Sequence, residues 1–160
     1  MKKHIRGNRF NVLFLLVFLL SLGFASVAGA EPVKEEGALT TKPPEEMNDN
    51  QMLAAYKYLS VYSSDIASAG GGMGSVFGTT GAISVADFVG IDAAIQRWTG
   101  EQWVGVTSKT ASKNASKSVS LNENFAVTSG YYYRVVSTHT VRMGSELEKT
   151  TYTSPSHLMK

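Results

Sequence analysis

The chain contains no cysteine among its 160 residues. That excludes a disulfide framework, thiolate metal sites and a lipid-modified amino-terminal Cys. Histidine is nearly as scarce, with only His4, His139 and His157. A catalytic triad needs a positioned base, and His139 is the one realistic candidate. No G-x-S-x-G elbow accompanies it. The bland reading of His139, a strand histidine satisfied by its neighbours, is far the stronger. Acidic residues are missing before Glu31, while Lys2, Lys3, Arg6 and Arg9 are all basic.

That last absence frames an export signal. The basic start is followed by an unbroken apolar run from Val12 to Leu20 and then by small residues at Ser26, Ala28, Gly29 and Ala30. This order of zones predicts a secretory signal peptide over residues 1–30. Ala28 and Ala30 supply the small-x-small pattern, with cleavage after Ala30. An uncleaved anchor is disfavoured because a membrane span needs about 20 apolar residues. Removing the signal takes four of the 15 basic residues, leaving 11 basic against 13 acidic, a formal −2. The basicity of the whole chain therefore belongs to the signal, and nucleic acid is not an expected partner. The expected location is outside the cell, free or loosely associated with the wall.

Residues 31–59 read as a disordered linker. Pro32, Pro43 and Pro44 and six acidic residues fall between Glu31 and Gln51 with almost no large apolar residue, too little to offset the entropy of ordering. A short helical pattern (Met52, Ala55, Tyr56, Leu59) closes the stretch, which could equally lead into a first strand.

From 60 to 154 the pattern is β, with runs rich in Val, Ile, Thr, Tyr and Ser between turn signals. Strands are expected near 61–68, 73–80, 89–98, 102–108, 116–122, 131–141 and 146–153, followed by a tail at 155–160. Thr99-Gly100 and Arg142-Met143-Gly144-Ser145 suit hairpins. Alternation in the 131–141 run sends Tyr131, Tyr133, Val135, Ser137, His139 and Val141 to the core and Tyr132, Arg134, Val136, Thr138, Thr140 and Arg142 to water. In the 89–98 run Trp98 falls out of phase, so it is either exposed or accompanied by a bulge. Seven short strands without a long helix predict an all-β domain, a single antiparallel two-sheet β-sandwich.

The stretch Ile95-Gln96-Arg97-Trp98-Thr99-Gly100-Glu101-Gln102-Trp103, followed by Gly130-Tyr131-Tyr132-Tyr133-Arg134-Val135, resembles a group of small uncharacterised secreted proteins of Gram-positive, Bacillota-type bacteria. These share a signal peptide, an LQRW-x-G-x-x-W hairpin and a GYYYRV strand. The resemblance spans about 60–154 and implies an immunoglobulin- or fibronectin-III-like sandwich. It brings no catalytic residues. This chain departs from the pattern in a Lys-rich connection and in Ala at 93 or 94.

Cofactors and metals are not expected. Calcium could use Asp87 and Asp92, but no D-x-D-x-D-G loop is present, and Gly70-Gly71-Gly72-Met73-Gly74 completes no phosphate-binding pattern. Asp87 with Asp92, or Glu146 with Glu148, are weak candidates for paired-carboxylate hydrolysis. Two groups could bind a ligand. Trp98, Trp103 and Tyr132 could stack on sugar rings, although core packing explains most of them. Lys109, Lys113 and Lys117 recur every fourth residue in a Ser- and Ala-rich context that suits a solvated loop or an edge strand, and could attract an anionic polymer. Asn114-Ala115-Ser116 matches a glycosylation acceptor with little meaning in a bacterium. The expectation is a secreted, non-enzymatic β-module whose partner is a wall glycan, an anionic wall polymer or another surface protein. The alternative is a bacteriocin- or toxin-like effector.

Overall fold

A computed structural model describes residues 34–44 and 56–160. The expected signal peptide, its cleavage site at Ala28 and Ala30, and the start of the helical pattern at Met52 lie outside the described residues. Six strands are present: β1 (Leu59–Gly70), β2 (Met73–Trp98), β3 (Trp103–Ala126), β4 (Tyr132–Met143), β5 (Glu146–Thr153) and β6 (His157–Leu158). All pairings are antiparallel and all belong to one sheet. The domain is all-β, as its alternating runs predict, in the form of a single sheet that curls over itself like half a barrel.

The curl originates in β2 and β3, each of which runs through what the composition divides into two strands. The expected runs 73–80 and 89–98 are joined in β2, and 102–108 and 116–122 in β3. No glycine-proline turn separates them, so the chain stays extended and bends instead. At the bend the pairing steps from Gly81↔Ser118 to Ala86↔Ser116. Ala82, Ile83, Ser84 and Val85 thus oppose Lys117 alone, and Ala115 adopts a positive φ of 46°. Extra residues in one strand sharpen its twist and re-aim it.

Pairing then dictates the rest. β3 occupies one edge of β2 along its length, so β1 and β4 share the other in succession. β1 takes Met73–Ala82 and β4 takes Phe88–Arg97. Because β2 bends between them, β1 folds over β4. The core fills the space enclosed, with Ile66, Val76, Ile91, Ile95, Val135 and Val141 all sealed from solvent. β5 returns from β4 through Gly144 (φ 59°). Its ladder ends at Pro155, where the Ser154 hydroxyl accepts the Val135 N–H at 3.0 Å, and β6 resumes the pairing beside Tyr132 and Tyr133.

Strand β4 keeps the predicted alternation, with two exceptions, Tyr132 and Thr140. Tyr132 is buried rather than solvated, because residues 34–44 lie over it. Leu39 donates its N–H to Gly130 O at 2.7 Å, and Tyr132 Oη donates to Glu35 Oε2 at 2.9 Å. The described part of the expected linker is therefore packed against the domain. Trp98 is also buried, and a bulge does sit beside it: pairing passes from Ile95↔Thr107 to Gln96↔Gly105, skipping Val106.

The two halves approach closely at Gly78. A Cβ there would stand 2.6 Å from Ile91 Cδ1 and 2.8 Å from Ser63 O. Overpacking of this kind costs about 1–3 kcal/mol. Gly78→Ala is expected to lower the unfolding free energy by about that amount in denaturant titrations. Gly105→Ala, where a Cβ meets nothing within 4 Å, should be neutral or stabilising by a few tenths of a kcal/mol.

Candidate functional site

The most ordered chemical constellation in the described residues joins the two halves of the sheet. His139 Nδ1 lies 2.7 Å from Thr80 Oγ1, and Nε2 lies 2.7 Å from Ser137 Oγ. Thr80 Oγ1 donates to Gly90 O at 3.0 Å, and Ser137 Oγ is 2.7 Å from Ser64 Oγ. One direction of hydrogen bonding uses each hydrogen once. The Ser64 hydroxyl donates to Ser137, which donates to His139 Nε2; Nδ1–H donates to Thr80, which donates to Gly90 O. A histidine between two hydroxyls, protonated on Nδ1, satisfies the whole chain. Tyr152 O is an alternative acceptor for the Ser137 hydroxyl at 3.4 Å, and the much shorter contact to Nε2 at 2.7 Å takes the hydrogen.

A Ser–His pair at 2.7 Å has the spacing of a nucleophile and its base. Here Ser137 and His139 are both fully buried, with Tyr62 packed across the imidazole at a ring separation of 5.9 Å. No substrate reaches either atom. Burial without a carboxylate partner pushes the imidazole pKa down to about 4, because desolvation penalises the charged form.

Two of the four carboxylates considered for hydrolysis, Asp87 and Glu148, serve the backbone. Asp87 Oδ2 accepts the Gly144 N–H at 2.6 Å, fixing the β4–β5 turn. Glu148 accepts three consecutive N–H groups, from Lys57 (2.8 Å), Tyr58 (2.9 Å) and Leu59 (2.8 Å), and so anchors the start of β1 to β5. Burial opposes its ionisation, but those backbone donors outweigh that cost and hold its pKa below the ordinary value. Glu146 pairs with Lys57 at 3.1 Å. Among the described residues no three acidic or histidine side chains converge as a metal site.

The aromatic candidates are largely consumed by packing. Trp98 is buried against Trp103, their centroids 5.4 Å apart. Arg134 covers Trp103, its Cζ 4.2 Å from the ring centroid, and its Nε donates to Gln96 Oε1 at 2.8 Å. Tyr132 is enclosed by the 34–44 segment, and burial together with Glu35 pushes its phenol up to about 12. None of the three presents a bare ring.

The lysine candidates lie on β3, whose Ser- and Ala-rich middle is an edge strand and not a loop. Lys109 stands opposite Ala93 and Lys113 opposite Val89, while Lys117 is at the bend. Lys113 and Lys117 are exposed and Lys109 half-buried. No described carboxylate pairs with any of them. At about 3.3 Å per residue, successive lysines are about 13 Å apart along the strand.

No family model matches the chain, and no curated protein matches it. Solved structures are similar over part of it, among them the following two. The solution structure of R. palustris CsgH aligns with a TM-score of 0.33 and 14% identity, covering 57% of this chain and 91% of CsgH. A crystal structure of a protein from Archaeoglobus fulgidus aligns with a TM-score of 0.34 and 11% identity, covering 64% of this chain and 98% of that one.

A histidine kept neutral in the folded protein ties stability to pH. Unfolded, it takes up a proton below its ordinary pKa near 6.5, which the native state refuses down to about pH 4. The unfolded state binds more protons across that window, so stability falls as the pH falls, by up to about 3 kcal/mol. The Glu148 contribution has the same sign but is lost only at lower pH. Urea titrations from about pH 7 to 5 should show this loss, and His139→Gln should flatten it. An unchanged slope in the variant would dissociate His139 from the effect.

Proposed function

We propose that this chain is exported and that its β-domain is a non-enzymatic module binding an anionic polymer of the cell envelope through β3. The observation that carries the reading is the row of Lys109, Lys113 and Lys117 along an edge strand, with no described carboxylate paired to any of them. Charges spaced along an extended strand match a ligand that is itself linear and repeatedly charged. Lysines on an edge also discourage strand-on-strand association, which leaves this edge to a soluble or wall-bound polymer. The sealed Ser137–His139 pair and the backbone-bound Glu148 support a binding role over a catalytic one. Cleavage after Ala30, an extracellular location and an origin among small secreted Gram-positive proteins belong to the same reading, on the residues already described. So does an immunoglobulin- or fibronectin-III-like sandwich, formed from the two halves of the curled sheet with β2 and β3 shared between them.

Co-sedimentation of the secreted protein with isolated Gram-positive walls tests this. Binding should weaken as salt is raised from about 0.05 to 0.5 M, because exposed charges are screened. It should fall about tenfold or more in the Lys109/Lys113/Lys117→Ala variant. It should also be lost on walls stripped of their anionic polymers. Undiminished binding by the triple variant or to stripped walls would overturn the reading. Growth inhibition of related bacteria without wall binding would replace it with the effector reading.

A further inference from the structure

The first half of β2 is the centre strand of a three-stranded face formed with β1 and the end of β3. Alternation sends Val76, Gly78 and Thr80 into the core and Ser75, Phe77 and Thr79 outward. A phenylalanine flanked on its own strand by Ser and Thr has no apolar neighbours to join, and Phe77 is 42% exposed despite its central place. Register sets Asp65 and Asn122 directly beside it, one on each neighbouring strand, and Ser63 and Ser120 beside Thr79. These residues line an open groove of about 440 Å³, with Tyr152 at its rim.

The polar groups around the ring are held in position. Asp65 Oδ1 accepts the Ile66 N–H at 2.8 Å and bonds His157 Nε2 at 3.0 Å. Asn122 Oδ1 accepts from Ser75 Oγ at 3.3 Å, and Thr79 Oγ1 lies 3.4 Å from Ser120 Oγ. Neighbouring strands are about 4.8 Å apart, so a carboxylate and a carboxamide flank the aromatic ring at about that distance on either side. Asp65 Oδ2 and Asn122 Nδ2 take no part in these bonds, which leaves one acceptor and one donor toward the groove.

The lining selects its ligand by chemistry. It contains no lysine or arginine, so an anion has no counter-charge. It contains one carboxylate, too few for a cation site. A planar apolar ring bordered by one carboxylate, a carboxamide and hydroxyls fits a molecule with one flat C–H face and a rim of hydroxyls. We propose that this groove binds a neutral β-linked oligosaccharide, one pyranose ring stacking on Phe77 while Asp65 and Asn122 hold its equatorial hydroxyls. The volume accommodates about two sugar units, within the usual range for small-ligand sites. The site is separate from the lysine row and does not depend on it.

Titration of the isotopically labelled full-length chain with cellotetraose and with tetra-N-acetylchitotetraose, at fixed ionic strength, tests the site by two-dimensional NMR. Saturable shifts are expected at the amides of Asp65, Phe77, Thr79 and Asn122 with at least one sugar, with Kd in the range of about 0.1–5 mM. Phe77→Ala should weaken binding about tenfold, whereas Phe77→Tyr should keep it. Asn122→Ala, an exposed change, should also weaken binding and decides the matter if Phe77→Ala does not fold. The Lys109/Lys113/Lys117→Ala variant should bind as the unaltered chain does, so failure here is distinct from failure of the wall-polymer reading. Absence of saturable shifts to about 20 mM of both sugars, shifts centred on other residues, or affinity unchanged in Asn122→Ala and in folded Phe77→Ala would overturn the proposal.

Discussion

Curling one sheet onto itself brings β1 and the first half of β2 against β4, and the strands meet with polar side chains as well as apolar ones. Ser64, Thr80, Ser137 and His139 are all buried at that seam. Each would cost about 1–3 kcal/mol if left without a partner, so the arrangement stands only when every donor finds an acceptor. The chain from Ser64 through Ser137 and His139 to Thr80 and Gly90 O meets that condition. It does so with the imidazole neutral and in a single tautomer. Because it spans β1, both parts of β2, and β4, it specifies how far the sheet must curl as well as helping to hold it there.

The other features follow from the same bend. β2 must pass from one half of the sheet to the other, which requires the unmatched residues at Ala82–Val85 and leaves no room for a side chain at Gly78, against which Ile91 of the other half packs. β1 and β4 both pair with one edge of β2, so β3 alone lines the other and is left with an unpaired edge of its own. That edge carries the three lysines. Beyond the bend, the outward side of β1, β2 and β3 bears Phe77 among hydroxyls, a carboxylate and a carboxamide. Both proposed contact surfaces are therefore by-products of topology: one is the edge the curl leaves open, the other the face it turns away from the core.

Strand β4 was the most legible part of the chain, because Tyr133, Val135, Ser137, His139 and Val141 alternate cleanly with arginine and threonine. The continuity of β3 was not, since exposed edge strands are rich in Ser, Thr, Lys and Ala and share that composition with loops; in β2 the unmatched residues Ala82–Val85 break the alternation. The burial of Tyr132 depends on residues 34–44, nearly a hundred positions earlier, and alternation within one strand carries no information about such a cover. Trp98 and Trp103 drew attention as aromatics, yet packing and Arg134 occupy them. Phe77 went unremarked although its signal was local: a large ring between Ser75 and Thr79 on a strand whose other face is Val76, Gly78 and Thr80. Ser137, one hydroxyl partner of His139, shares its strand face two residues away, but Thr80 on β2 lies 59 residues off, and Ser64 on β1, which continues the chain through Ser137, lies 73 residues from Ser137; no local pattern connects these.

The account rests on a neutral His139 held between Thr80 and Ser137, and long-range ¹H–¹⁵N correlation NMR of the imidazole observes that state directly. At about pH 5.5, where an ordinary histidine is mostly charged, the ring should show a protonated Nδ1 and a bare Nε2. Two protonated nitrogens at that pH, or a proton on Nε2 alone, would contradict the hydrogen-bond chain and the seam built on it.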